Sequence, residues 1–270
     1  MEDKVKRVLF VNSEMTPYLA DSELSLYCRT LAQGVQEKHT EIRSFMPRYG
    51  LVNERKNQLH EVIRLSGMNL IIGDVDRPLI IKVASLPSAR MQVYFIDNED
   101  YFRRKAIYRD ADGIPFKDNG ERAVFFARGV LETVKKLRWS PDIIHCSGWI
   151  SHVLPVYLKK YYKDDPIFTN SKVVTTLFDD VIDGVLSDSL AESIIFQNTT
   201  KKDIQPLLEA PTGINLAKLA ISNSDAVVIG NSRVDKTLVD YAGSLSIPVM
   251  THESGAANQA ETYKNFYNSL

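Results

Sequence analysis

Cysteine is scarce: Cys28 and Cys146 are the only 2 in 270 residues. They fall in a predicted helix and a predicted strand and make no metal-ligand spacing. A disulfide framework is therefore excluded, and a reduced, cytoplasmic compartment is the expectation. Neither sign of charge is in excess. With 33 Lys+Arg against 34 Asp+Glu the formal net charge is -1, so there is no electrostatic reason to expect nucleic acid or an anionic membrane as partner. Long apolar runs are missing too. No window approaches the roughly 18 to 20 consecutive apolar residues needed to cross a bilayer. The N-terminal MEDKVKRVLFVNSE offers only the strand-length run Val8 to Val11 where a signal peptide requires a longer apolar region. The expectation is a soluble, unexported chain.

What is present is ordinary for a globular protein, with 44% hydrophobic and 25% charged residues. The length admits one large or two modest domains. Val8 to Asn12 reads as a buried parallel strand, Ser13 to Asp21 as the loop after it, and Leu24, Tyr27, Cys28, Leu31 and Val35 as the apolar stripe of a helix through Glu37. Glu41 to Met46 reads as a second strand, ended by the breakers Pro47 to Gly50. His60 to Leu65, Met68 to Ile72, Leu79 to Ala84 and Met91 to Ile96 are short apolar segments punctuated by Gly67, Gly73, Asp74, Pro78 and Pro87, the pattern of antiparallel hairpins appended to a parallel sheet.

Gln92 to Asp97 returns to the parallel sheet, and a long connection, Asn98 to Asp118, follows. Aromatics between arginines there suit sugar stacking, whereas Tyr101 and Phe102 are equally suited to pinning the loop to the core. Asn119 or Gly120 opens a helix through Lys136. Asp142 to Cys146 is the next strand, and Trp149 to Tyr162 the next helix, which Pro155 requires to begin only shortly before it. Lys172 to Leu177 and Ala226 to Ile229 read as strands, Ile214 to Ile221 and Val234 to Tyr241 as helices, Ile247 to Met250 as a last strand, and the polar C-terminal residues with Tyr263, Phe266 and Tyr267 as a closing helix. The sum is an α/β fold, a single Rossmann-like parallel-sheet domain with an antiparallel hairpin excursion.

Ligands of such sheets sit outside the carboxyl ends of the strands. Glu14 and Tyr18 follow the first strand, Asn98 and Tyr101 follow Asp97, and His145 and Trp149 lie at the end of the next strand and just beyond it. These six are the candidate ligand groove. His145 and His152 fit a hydrogen-bonded structural pair better than catalysis. Asp179, Asp180, Asp183 and Asp188 lack the glycine and terminal Glu of a calcium loop and read as a solvated loop. No metal and no cofactor is expected. The first turn, where a dinucleotide fold carries phosphate-binding glycines, reads PYLADSE from Pro17 to Glu23 and has none. Its carboxylates would repel a phosphate, and Asp21 or Ser22 serves as a helix N-cap.

SEMTPY at Ser13 to Tyr18, FMPRYG at Phe45 to Gly50, YFIDNEDYF at Tyr94 to Phe102, DNGERAVFFARGVLE at Asp118 to Glu132, SPDIIHCSGW at Ser140 to Trp149 and ISHVLPVYLK at Ile150 to Lys159 resemble consecutive landmarks of the bacterial glycogen and plant starch synthases, glycosyltransferase family 5. The resemblance implies the N-terminal, acceptor-side half of a GT-B glycosyltransferase over residues 1–270, with no counterpart of the donor-binding domain. Members transfer glucose from ADP-glucose to an α-1,4-glucan with retention. It also implies a lysine and two glycines in the first loop, where this chain has Ala20, Asp21, Ser22 and Glu23, and an active-site histidine where it has Leu177. Of the family's His-Asp-Trp-His only Trp149 remains. The expectation is a noncatalytic glucan- or protein-binding member. The alternatives are a glucosyltransferase completed by a separate donor-domain chain, and a sheet that binds some other small molecule at the same crevice.

Overall fold

The computed structural model describes residues 5–86, 89, 91–187, 189–255 and 258–270. Pro87 and Asp188 lie outside them. The chain begins with β1 (Arg7–Asn12), whose residues from Val8 to Asn12 are all buried. A strand apolar on both faces belongs in the middle of a parallel sheet covered by helices. The elements that follow are α1 (Glu23–Glu37), β2 (Glu41–Pro47), β3 (His60–Glu61), β4 (Met68–Ile72), β5 (Val75–Leu86), β6 (Met91–Asp97), α2 (Glu99–Phe102), α3 (Asn119–Leu137), β7 (Ile143–Ser147), α4 (Leu154–Lys160) and β8 (Lys172–Leu177). The chain continues through α5 (Leu190–Ile194), α6 (Gln205–Glu209), α7 (Gly213–Ser222), β9 (Ala226–Ile229), α8 (Lys236–Ser244), β10 (Val249–Thr251) and α9 (Gln259–Asn268).

The strands form one sheet in the order β10-β9-β8-β7-β1-β2-β6-β5-β3, with β4 paired to β5 off this path. Every pair from β10 to β6 is parallel, and β5 pairs antiparallel with β6, β4 and β3. The parallel sheet and its hairpin excursion are as the sequence predicts. Because parallel crossovers are right-handed, the reversal of direction at β1 puts α1 on one face and α3, α4 and α7 on the other. α9 packs on α1, and α3 touches α4, which touches α7. Both cysteines are buried and free.

Several boundaries differ from the sequence reading. Only His60 and Glu61 of the expected His60 to Leu65 strand pair with β5; the chain then turns, and Ile63 is exposed. The expected Trp149 to Tyr162 helix is two pieces, a 3-10 turn at Trp149–Ser151 and α4, which begins one residue before Pro155. Pro155 lacks the N–H to continue a preceding turn, so it is tolerated only in the first turn of a new helix. α8 and β10 start two residues later than expected, and α2, α5 and α6 lie where no element was expected. These last are too short to show a helical apolar period.

The excursion is fastened by charge. The buried Asp97 carboxylate at the end of β6 is ion-paired with Arg48, whose Nε lies 3.0 Å away, and with Lys82, whose Nζ lies 3.0 Å away, and Lys82 also reaches Glu54 at 2.7 Å. β5 is thereby tied to the carboxyl ends of β2 and β6. The outer borders of the sheet, β10, β3 and β4, have three, two and five residues.

Candidate functional site

β1 lies between β7 and β2, so the chain leaves it toward one side and later returns on the other. This reversal opens a crevice at the carboxyl ends of β1 and β7. Three close backbone approaches build its floor. Ser13 N–H donates to the Ser147 carbonyl at 2.8 Å, and Ile150 N–H to Ser13 Oγ at 3.2 Å. Gly148 sits between them at φ 85, and a Cβ there would lie 2.7 Å from both Ser13 Cβ and Asp180 Oδ2. Only glycine meets both demands.

Asp180 is the principal residue the sequence reading misplaced. Its Oδ2 accepts the Trp149 N–H at 2.8 Å, and its Oδ1 is buried with no partner among the described residues. Burial pushes its pKa up to about 7; the Trp149 N–H opposes this and the nearby Glu14 charge adds to it. Glu14 is also raised, by burial first, against the Ser22 hydroxyl that donates to it at 3.1 Å. The expected solvated acidic loop is therefore half enclosed. A strand-end rule applied to β8 would have drawn Asp180 into the crevice; its apparent membership in an acidic run hid it. No group of three or more His, Cys, Asp or Glu that could hold a metal occurs among the described residues.

The first turn is closed by its own carboxylates. Ser22 caps α1 in a capping box with Ser25, the first-turn arrangement expected of this sequence. Glu23 accepts Arg233 Nη2 at 2.6 Å, and Asp179 accepts Arg233 Nε at 2.7 Å. Asn231 Nδ2 bridges the same two carboxylates at 3.0 and 2.7 Å. Arg233 holds the Asp179 carboxyl below its usual range. Loops after β1, β8 and β9 are thus joined beside the first turn. The sequence reading missed Asn231 and Arg233, although both follow the end of β9. Ala20 is exposed and contributes only its carbonyl, to Ser25 Oγ. Leu177 is fully buried in an apolar cluster with Ala217, Ile221 and Val227.

The expected groove residues divide. Glu14 lies near Asp180 at the crevice, whereas Tyr18 is buried with its ring on Phe95 of β6. Tyr18, Asn57, Gln58, His60 and Lys56 line a cavity of about 350 Å³ beside the first loop, and burial pushes the Tyr18 phenol up to about 12. The other four are internal supports, which corrects their placement in a groove. Asn98 caps α2, accepting the Asp100 and Tyr101 N–H groups, and donates to the Pro78 carbonyl at 2.9 Å. Tyr101 is buried, with its hydroxyl on Glu121, which is the core-pinning role. Trp149 is buried with its ring against Tyr108. His145 is buried with Nδ1 2.5 Å from Tyr267 Oη and Nε2 2.5 Å from Thr176 Oγ1.

Burial pushes the His145 pKa down to about 3 and that of His152 to about 4, so both stay neutral. The bonds of His145 are to Tyr267, Thr176 and Tyr27, not to His152 as a structural pair would require. The hydroxyl chain runs on from Tyr27 to Tyr263 at 3.0 Å and from Tyr263 to His252 at 3.1 Å, so α9 is latched through its two tyrosines to the centre of the sheet.

A doubly wound sheet with this crevice and hairpin excursion has the architecture of one half of a GT-B glycosyltransferase. The catalytic domain of Starch Synthase IV from Arabidopsis thaliana, solved bound to ADP and acarbose, superposes with a TM-score of 0.69 at 16% identity, over 92% of this chain and 52% of that one. The family described as the starch synthase catalytic domain matches residues 7–239. The chain belongs to that family. Glycogen synthase of Chlorobaculum tepidum is 35% identical over 236 residues, 87% of this chain and 47% of its own length. That of Chlorobium luteolum is 34% identical over 220 residues, 81% of this chain and 44% of its own length. The chain thus spans less than half the length of these curated relatives. No described helix is long and apolar enough to cross a membrane.

Proposed function

We propose that this region acts as the acceptor-side half of a glycogen or starch synthase, binding an α-1,4-glucan while its own residues supply no donor chemistry. One observation supports the reading: at the turn where a donor phosphate would need N–H groups and free cations, the exposed Glu23 and Asp179 carboxylates already engage the exposed Arg233. A pyrophosphate entering there must displace two carboxylates from one guanidinium, beside Glu14 and Asp180. Stabilisation of developing charge is usually the largest catalytic contribution, and loss of one donor costs on the order of 100 to 1000 in rate. Leu177, apolar and sealed in the core, has no hydroxyl or imidazole to offer a glucosyl group.

The glucan face is the cavity beside Tyr18. Asn57 and Gln58 present amides, Lys56 and His60 further polar atoms, and Tyr18 an aromatic edge. Such a mixture suits sugar hydroxyls and ring faces. Calorimetry with maltooligosaccharides tests it: saturable heat is expected, reduced in Asn57→Ala with Gln58→Ala, together with no glucan extension from ADP-glucose. Absence of heat at millimolar ligand overturns the binding; extension of glucan by the purified 270-residue chain overturns the inactivity.

A second reading follows from coverage of less than half of the relatives' length. Here a separate chain supplies a donor-binding lobe and the crevice becomes one wall of a working site. Copurification followed by an ADP-glucose assay separates the two readings, because only the second gains activity with a partner.

A further inference from the structure

At the opposite end of the sheet from the crevice, beside the starts of β2 and β6 and the last turn of α3, lies a cavity of about 440 Å³ whose walls include Arg43, Arg64, Lys136, Gln92 and Tyr94. Among the described residues no carboxylate lines it. The chain as a whole is balanced in charge, so three cations facing one cavity are a local departure with an electrostatic cost unless an anion joins them. Neighbouring carboxylates are engaged elsewhere. Glu41 binds Arg7 and the Trp139 indole, and Glu132 and Asp165 meet Lys135.

The cations are differently held. The Arg43 guanidinium lies 5.0 Å from the Trp139 ring centroid and 5.9 Å from that of Tyr94, and donates to Tyr94 Oη at 3.3 Å. Its planar fork is thus oriented before any ligand arrives. Lys136 Nζ donates to the Leu65 and Ser66 carbonyls at 3.3 and 3.4 Å, and an ammonium has a third donor to give. The ordinary task of Lys136 is to offset the carbonyl end of α3. That account does not extend to Arg43, in β2, or to Arg64, in the turn before β4, neither of which lies at a helix end.

We propose that this cavity binds a compact phosphate ester: the guanidinium of Arg43, with Arg64 and Lys136, receives the dianionic phosphate, and the Gln92 amide faces the hydroxyl-bearing remainder. Fork-shaped guanidinium donors match phosphate oxygens, and the cavity exceeds what inorganic phosphate alone would fill. The site does not depend on whether the crevice binds glucan.

The chain has 2 tryptophans, and Trp139 touches Arg43, so Trp149→Phe leaves one reporter at the cavity. Titration of this protein with a hexose phosphate, followed by fluorescence and in parallel by calorimetry, is expected to saturate, whereas the uncharged hexose gives no response. Arg64→Glu and Lys136→Glu, both on exposed side chains, each weaken binding by about tenfold or more, the loss of one charged contact, while Arg64→Lys largely retains it. Urea midpoints report that the variants are folded. The proposal is overturned if both readouts are silent, if sodium chloride at matched ionic strength reproduces the response, or if both charge reversals titrate like the parent. Equal affinity for inorganic phosphate and hexose phosphate would overturn the ester assignment.

Discussion

Asp180 shows how a single side chain can set a local pH response. Its folded pKa of about 7 lies above the ordinary 3.8, so the folded state holds a proton that the unfolded chain releases. Stability from this residue is full below about pH 4 and declines as pH rises to about 7. Asp180→Asn keeps an acceptor for the Trp149 N–H and removes the titration. Urea midpoints across that window should therefore show the variant gaining on the parent by up to about 1.4 kcal/mol per pH unit. Gly148 is constrained by space and by φ together. Gly148→Ala is expected to cost about 2 kcal/mol or more, read as a lowered urea midpoint, because φ 85 disfavours any Cβ and the added atom would lie within 2.7 Å of the Ser13 and Asp180 side chains.

At the scale of elements, the clearest device is the tyrosine latch of α9. Tyr267→Phe leaves His145 Nδ1 buried without its 2.5 Å partner, an unsatisfied group that costs about 1 to 3 kcal/mol. Denaturation together with hydrogen exchange should show the loss and faster exchange in α9. The sequence made α9 legible as a helix through the spacing of Tyr263, Phe266 and Tyr267, but its docking surface was illegible. Tyr27, His145 and Tyr267 are separated by 118 and 122 residues and meet only through the sheet. The long parallel strands were readable because each is an apolar run bounded by polar turns. β3 was readable at His60 but not in its two-residue length, and the four- and five-residue α2, α5 and α6 were not readable, since a segment so short takes its conformation from its neighbours.

The same contrast holds for the whole molecule. Landmarks in order along the chain identified the family and the architecture, and the departures at Ala20 and Leu177 were visible as soon as the landmarks were. What surrounds those positions required coordinates: Leu177 lies in a second apolar cluster, and Glu23, Asp179 and Arg233 meet beside the first turn. The histidines give the molecule an acid limit. His145 and His152 have folded pKa values of about 3 and about 4, below the ordinary 6.5. Their contribution is full above about pH 6.5 and lost as pH falls toward 4, opposite in sign to that of Asp180 and Glu14. Replacing both histidines with Gln should flatten the acid side of the stability curve measured by urea unfolding between pH 4 and 7.

The borders of the sheet are short, β10 with three residues, β3 with two and β4, paired only to β5, with five. Next to β3, the Ile81 carbonyl accepts the Val62 N–H and the Ile81 N–H meets Ser66 Oγ, so little main chain is left open along that flank. Another polypeptide finds only short rails, of at most the five residues of β4, on which to lay a further strand. Recognition of this molecule by a second protein therefore falls to side chains and shape, and a partner selected for one surface would gain nothing from merely being extended and sticky.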